Sequence, residues 1–581
     1  MTNRQTFKAA ALNRVAPFLK DESGVMAPLM LIFFFFMLVI GGIAVDVMRF
    51  ESRRVALQQT LDRATLAAAS LENKMDATAV VKSYFNSAGV KGDLDDADIK
   101  VISGMNSKTV QVKAKVKSNN YFMSMVNVPY LQANNLSEAQ QRVNDIDIIL
   151  VLDVSGSMAG TKITSLKDAA RNFVDQVKAK DDENRISIGV VPYNAQVNLG
   201  APLRGFYNAT NLHSVANSNC LELPSSVFGS VALSRTVPLP MMAHADTEGT
   251  VSGTAYVTPA SGAPGNSAAR RWCNAGTNNA VTLPSKDPTK IKNAISALTA
   301  EGNTSILLGM RWATALIDPS ARSIYTDLIA DKKMDAAMAG RPLNYSTAEN
   351  PSMKVIVLMT DGEHVAHNRV TDPYKTGIAN NLVAPAGNTA QIWRATTGDT
   401  NFSVFHSSKV NTKNATTIAD SKPYYVPHLN AWHVRPWNGS AAPKTTDKYS
   451  PTVTTYSNSK LMTWQEVWAA VSVDYVGRQF FQRPLGGTSY NDAMTKLEAQ
   501  YASVAEMNTR LAENCTAAKA DGKNILVFGI AFQAPAAGKA AIQSCTSTPT
   551  STYYYDVTQT DKIKEAFEVI ATNLSQLRLT Q

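Results

Sequence analysis

The sequence predicts an α/β protein: a doubly wound, mostly parallel sheet with two large insertions, preceded by one transmembrane helix and a small α+β region. Three observations carry this. Short runs that are apolar at every position, Ile146 to Leu152, Ile186 to Val191, Val355 to Met359 and Ile525 to Ile530, alternate with segments of helical periodicity. Strands apolar on both faces belong to parallel sheets covered by helices on both sides. A run from Val25 to Val45 contains no charged residue. Two stretches rich in Asn, Thr, Ser, Gly and Pro, about 195–290 and 364–511, interrupt the alternation. Structureless loops of that size do not suit a compact domain, so these read as insertions with structure of their own.

The chain opens on a basic tail, residues 1–24, with Arg4, Lys8, Arg14 and Lys20. Positive charge before a span favours a cytoplasmic N-terminus, although Arg49, Arg53 and Arg54 follow it. The span, 25–45, matches the ~20 residues needed to cross ~30 Å of hydrocarbon. Pro28 falls in its first turn, where a helix tolerates it. Gly42-Ile43-Ala44 fits a signal-cleavage pattern. The run is long for a signal peptide, however, and its helical pattern continues through Val47, Phe50, Val55, Leu57, Leu61 and Leu66, so the expectation is an uncleaved anchor. Residues 46–142 then hold an Ala- and Gln-rich helix, Arg53 to Leu71, and a small sheet in which Val110, Val112, Ala114 and Val116 alternate with polar residues. A long apolar helix leading into a small sheet also describes pilin-like subunits.

From Asp145 to Gln581 strands and helices alternate. Helical spacing marks Ile163 to Val177 (Leu166, Ala169, Ala170, Phe173, Val177), Ile291 to Leu298, Ile306 to Leu316 and a closing Ile563 to Leu577. The second insertion contains Trp393, Trp432, Trp437, Trp464 and Trp468, enough to bury a small core of its own.

Composition narrows the function. Of 581 residues 45% are hydrophobic and 18% charged, and the net charge of +9 is scattered among acidic residues rather than gathered in a block. That is a solvated surface, not a nucleic-acid groove. No phosphate loop or dinucleotide fingerprint is present, and no G-x-S-x-G elbow surrounds Ser155. His364 and His367 have no Cys or His at zinc-site spacing and read as loop residues. Four cysteines allow three pairings. Cys220–Cys273 and Cys515–Cys545 are expected, because each closes a loop within one region, and such bridges imply an oxidising compartment.

The chemistry gathers at strand ends. Ile146 to Leu152 runs into Asp153-Val154-Ser155-Gly156-Ser157, whose alternate residues can aim oxygens at one point. Thr304 lies in Gly302-Asn303-Thr304 before a helix, and Asp361 in Thr360-Asp361-Gly362 after Val355 to Met359. Ligands bind at this carboxyl edge in open α/β sheets. Five hard oxygens suit a divalent cation, Mg²⁺ foremost, with Mn²⁺ or Ca²⁺ as alternatives. With only two carboxylates among the five, the donors at most balance a bound dication, and an open position is left for a partner's acidic side chain.

These residues resemble the metal-ion-dependent adhesion site (MIDAS) of von Willebrand factor type A (VWA) domains. The resemblance implies Ser155, Ser157 and Thr304 as direct ligands, with Asp153 and Asp361 acting through water or hydrogen bonds. Thr304 and Asp361 come later than in compact members, as the insertions require. A second resemblance lies in Leu57-Gln58-Gln59-Thr60-Leu61-Asp62-Arg63-Ala64-Thr65-Leu66-Ala67-Ala68-Ala69, which is similar to the L-Q-x-A-x-D-A-A-x-L-A-A-A stretch of TadG-type Tad (Flp) pilus assembly proteins, with Arg63 where that pattern has Ala. Many of those carry a C-terminal VWA domain. Gly24 lacks the Glu five residues on that prepilin processing requires. Together the resemblances imply a non-enzymatic, single-pass inner-membrane protein with its C-terminal domain periplasmic or extracellular. It would bind other pilus proteins, or a ligand offering an acidic side chain, through the cation. The alternatives are a VWA adaptor of an ATPase, or a generic membrane-anchored VWA surface protein.

Overall fold

The computed structural model describes residues 26–70, 75–103, 107–142, 145–179, 181, 183–246, 255–260, 272–273, 276–347, 350–383, 387–399, 401–440 and 446–580. The basic tail 1–24 lies outside the described residues. The chain divides into two compact units, Met1–Val143 and Asn144–Gln581.

In the first unit the apolar run and the Ala-rich segment form one helix, α1 (Met26–Ala69), with no break where the span gives way to polar sequence. No proline follows Pro28 within it, so its backbone ladder has nothing to interrupt it. At ~1.5 Å per residue it is about 66 Å long. Its N-terminal part is exposed on every side, Phe33 to Phe36 included. Further along, Phe50, Leu57, Leu61, Ala64 and Ala68 are buried against α2 (Ala77–Ser87) and a three-stranded antiparallel sheet. The strands are β1 (Ile99–Ser103), β2 (Ser107–Asn119) and β3 (Tyr130–Arg142). β2 buries Val110, Val112, Ala114 and Val116 in that core, while Lys113, Lys115 and Lys117 stay exposed.

The second unit is organised by six strands. In chain order, with their helices, the elements are β4 (Asp145–Asp153), α3 (Thr161–Lys178), β5 (Ile186–Tyr193), β6 (Thr282–Ser285), α4 (Pro288–Ala297), α5 (Ile306–Ile317), β7 (Ser352–Thr360), α6 (Val504–Lys519), β8 (Leu526–Phe532), α7 (Ala536–Cys545), β9 (Tyr554–Val557) and α8 (Ile563–Thr580). The sheet order is β9-β8-β7-β4-β5-β6. Every pairing is parallel except β5 with β6. Alternate residues of β4 enter different cores. Ile148, Leu150 and Leu152 pack with α3, α4 and α8, whereas Ile149 and Val151 pack with α5, α6 and α7. Helices therefore cover both faces, which is why the strands are apolar at every position.

Two boundaries expected from sequence move. β6 and the start of α4 lie inside the stretch 195–290, so the first insertion ends near residue 281. α6 begins at Val504, so the second ends near 503 rather than 511. Polar edge-strand and first-turn residues look like loop in sequence, and only tertiary pairing reveals them. The first insertion has little regular structure, and its Leu221, Leu223, Val227, Phe228 and Val231 join the core over α5. The second builds an antiparallel sheet from Leu382–Val383, Thr389–Ala395, Phe402–His406, Tyr424–Val426 and Ala431–His433, with Ser459–Leu461 pairing Thr389–Ala395. It has separate cores around Trp464 and Trp468 and around Trp393. Trp432 and Trp437 are only half-buried.

Candidate metal-ion site

β4 and β7 lie side by side and end at the same level, because Leu152 pairs with Met359. Asp153 and Asp361 therefore emerge from adjacent strands. The Asp153 side chain is fully buried and holds its own loop: one oxygen accepts the Ser155 amide at 2.8 Å, the other the Thr360 hydroxyl at 2.7 Å. The Ser155 and Ser157 hydroxyls lie 3.0 Å apart, and Ser157 Oγ donates to Asp361 Oδ1 at 2.6 Å. Lys162, in the first turn of α3, places Nζ 2.7 Å from Asp361 Oδ2. Four of the five residues expected at a cation site thus form one chain of contacts, Asp153 joining it through the Ser155 backbone.

Thr304 reaches the group by a different route. The loop 301–305 is fastened to the serine loop by backbone bonds: Gly156 N donates to Gly302 O at 2.8 Å and Glu301 N to Val154 O at 2.7 Å. Gly302 sits at φ +75°, with Asn194 packed where a side chain would project, so only glycine suits that turn. Thr304 is buried, and its carbonyl accepts the Val365 amide at 3.0 Å. A Cβ built on Gly362 would lie 3.3 Å from Thr304 Oγ1 and 3.9 Å from Ser157 Oγ, so the threonine hydroxyl and the serine loop converge beside Gly362. The far side of Gly362 is equally tight, since its carbonyl occupies the space a Cβ on Gly538 of α7 would need.

The electrostatics of the group favour a cation. Burial, and next the neighbouring Asp361 charge, push the Asp153 carboxyl up to about 6 despite its hydrogen bonds. Within the contact chain, the Lys162 ammonium is the positive group, and it pairs with Asp361. Three hydroxyls and two carboxylates are hard donors, which fits Mg²⁺ better than a soft metal. Among the described residues, no cluster of three or more His, Cys, Asp and Glu side chains is arranged to hold a metal, so any cation here depends on the hydroxyls.

Lys162, Thr360 and Asn194 were not legible as site residues. Lys162 had a signal: it sits in the first helical turn after the serine loop, where a side chain can reach back over that loop. Thr360, just before Asp361, had another. Of the two histidines expected in a loop, His364 lies in one, though buried, whereas His367 is corrected: it is buried and begins the strand His367–Val370. His367 is packed between Trp272 and Tyr501, with ring centroids 5.0 and 5.1 Å away, and contacts Gln196 through Nε2 at 3.0 Å. The structure bonds Cys220 to Cys273 and Cys515 to Cys545, and no described cysteine is free.

With the geometry in hand, two family models match. Residues 147–220 match the von Willebrand factor type A domain. Residues 24–71, within or beside α1, match the Flp pilus-assembly TadE/G-like family. The first match covers β4, the serine loop, α3 and β5, and stops before Thr304 and Asp361. Neither matched family is an enzyme family. No curated protein matches. Among solved structures, the pilus adhesin SpaC from Lactobacillus rhamnosus GG aligns at 11% identity over 82% of this chain and 33% of its own, with a TM-score of 0.26. The vWF domain of the type V pili tip protein Mfa5 from Porphyromonas gingivalis aligns at 11% identity over 76% and 98%, TM-score 0.28. The adhesive tip pilin GBS104 from Group B Streptococcus agalactiae aligns at 13% over 74% and 99%, TM-score 0.26. The chain spans about a third of the length of the first solved structures it matches. These overlaps are loose, and the family models match two separate segments of the chain.

Proposed function

We propose that this protein is a membrane-anchored pilus assembly or adhesion component of the TadG type that captures a protein partner through a divalent cation, Mg²⁺ first. The observation that carries the reading is the convergence of Ser155, Ser157, Thr304 and Asp361 around Gly362, beside a buried Asp153. Ser155, Ser157 and Thr304 would hold the ion directly. Asp153 has both oxygens committed to the Ser155 amide and the Thr360 hydroxyl, so it positions the loop. Asp361 orients Ser157 and is itself held by Lys162. The bound ion would supply an open coordination position for a partner's carboxylate. Ser157 and Gly156 are the exposed residues of the loop, so a partner would approach over them. No nucleophile–base pair accompanies Ser155 in these contacts, which supports binding over turnover.

The anchor reading rests on α1, whose apolar part is long enough to cross a membrane and is almost wholly exposed. Two disulfides in the second unit support an exported location, with the N-terminus cytoplasmic and the inner membrane as the site of the anchor.

The test is thermal melting of the second unit with Mg²⁺, with Mn²⁺ and with chelator. At 100 times the dissociation constant, a ligand of the folded state adds about 2.7 kcal/mol. Ser155→Ala and Asp153→Ala should abolish that gain and keep the far-UV spectrum. A wild-type Tm that ignores both metal and chelator rejects the reading.

A further inference from the structure

The β2–β3 connection, residues 120–129, does not stand away from the first unit. It folds back onto α1 at the end of the apolar run. Asp46, the first charged residue after that run, is buried and accepts three consecutive backbone amides of the loop, Tyr121 at 3.1 Å, Phe122 at 2.7 Å and Met123 at 2.8 Å. The Phe122 ring packs on Gly42 so closely that a Cβ there would lie 2.4 Å from Phe122 Cγ. Gly42 precedes Asp46 by one helical turn, about 6 Å along the axis. The loop therefore reaches below the level of the first charge, alongside the last apolar turn.

What the loop displays is apolar. Tyr121, Met125 and Val126 are 68%, 76% and 49% exposed, and Phe122 and Tyr130 remain exposed despite their contacts. A soluble hairpin tip normally carries Gly, Asn, Asp or Ser instead. The nearest cations sit above the rings: the Arg49 guanidinium lies 4.3 Å from the Tyr121 centroid and the Lys117 ammonium 4.1 Å from that of Tyr130. Aromatic rings at the end of a span, with basic groups just beyond them, form the pattern of a membrane–water boundary, where rings lie at headgroup depth and cations meet phosphate.

The geometry points to the β2–β3 loop as a membrane foot: Phe122, Met125 and Val126 enter the outer edge of the bilayer beside α1, Tyr121 and Tyr130 lie at headgroup depth, and Asp46 clamps the loop in place. This rests on α1 crossing a membrane. A bilayer that covers α1 as far as Val45 covers Phe122 too, because Phe122 touches Gly42. The foot would hold the small sheet at a fixed height over the membrane, which a single helix alone, free to tilt and slide, does not do.

The experiment uses the full chain in liposomes of phosphatidylcholine and phosphatidylglycerol. No described cysteine is free, so one introduced cysteine takes a single NBD label. Labels go at Met125→Cys in the foot, Lys113→Cys on the exposed side of β2 and Phe34→Cys within the span. The expected result is that doxyl-lipid quenches Met125 and Phe34, aqueous iodide quenches Lys113 alone, and Met125 emission is blue-shifted. Adding Asp46→Ala should lose the lipid quenching at Met125 and keep it at Phe34. Iodide quenching at Met125 with lipid quenching at Phe34 overturns the foot and leaves the span. Protection of Met125 from both quenchers, with Phe34 in lipid, shows that a protein covers the loop and also overturns it. Iodide quenching at Phe34 overturns the span and the foot together.

Discussion

The two insertions of the second unit share a polar, Ser-, Thr- and Asn-rich composition, yet they are stabilised in opposite ways. The first borrows the main core. Its apolar residues pack on α5, a helix buried along its whole length between the sheet and the insertion. Its backbone is gripped from below by two buried polar side chains. Arg311 of α5 donates to the carbonyls of Val227, Val231 and Ala232 at 2.9, 3.0 and 2.9 Å, and Asn514 of α6 to those of Phe228 and Ser230. The second insertion instead closes its own sheet and buries its tryptophans mainly among its own residues, with Ala243 and Ala245 of the first joining the core around Trp464. An irregular segment needs external partners for its carbonyls, whereas a sheet supplies them internally. Damage to the first should thus spread into the six-stranded sheet, and damage to the second should leave that sheet intact.

The sharpest way to break that contrast is Arg311→Met. Burial lowers the guanidinium to about 10, so it is charged at neutral pH, and its loss strands three buried carbonyls. A cost of about 5 kcal/mol is expected, seen as a lower Tm of the whole second unit in one transition. A wild-type Tm with only new proteolysis within 195–281 would show that the first insertion is independent after all.

Trp468→Ala should cost about 4 kcal/mol, because the side chain is 1% exposed, stacks on Trp464 at 5.1 Å and donates to the Tyr374 carbonyl. Here the loss should be confined. Limited proteolysis should open 364–503, while protection of β4, β5 and β7 amides in hydrogen exchange persists. Simultaneous loss of sheet protection would refute the separation.

The bridges sharpen the comparison further. Cys220–Cys273 closes a separation of 53 residues within the first insertion, and no described cysteine lies in the second. Replacing both by serine should cost about 3 kcal/mol and should add to, rather than duplicate, the Trp468→Ala loss. A double-mutant cycle with coupling well above zero would show that the two insertions share a folding unit.

How much of this could be read beforehand follows the same division. The apolar strands, and the loops carrying Asp153, Ser155, Ser157 and Asp361, are legible because burial on both faces and a short motif each leave a local signature. Thr304 is legible as a donor from its place before a helix, but its approach to Ser157 is not, since that depends on the backbone bonds of Gly156 to Gly302 and Glu301 to Val154. β6, α7 and β9 left no usable signal: the edge strands are four residues each, and α7 is alanine-rich. Nothing in the sequence singles out Arg311 within the helix Ile306–Ile317, because its burial comes from the first insertion lying over it.

The smallest expected effect is a difference in acid sensitivity. His406, inside the second insertion, is satisfied as a neutral ring: Nδ1 contacts the Asn388 amide at 2.8 Å and Nε2 donates to the Phe480 carbonyl at 3.0 Å. Burial lowers it to about 3, and burial likewise lowers His367, on the strand that starts the insertion, to about 4. A folded-state pKa below the unfolded value means that the unfolded chain binds more protons as pH falls. Stability from these groups is therefore complete above about pH 6.5 and is lost progressively below it. At pH 5 each should cost about 2 kcal/mol, from 1.36 kcal/mol per unit. In the first insertion, burial lowers His213 as well, but that group is only partly enclosed. Mild acid should accordingly loosen 364–503 before the first insertion or the six-stranded sheet, and His406→Gln should flatten part of that dependence between pH 7 and 5. Hydrogen exchange at the two pH values, corrected for intrinsic rates, measures it. Equal loosening of both insertions, or a His406→Gln profile that overlays the wild type, would place the acid-labile groups elsewhere.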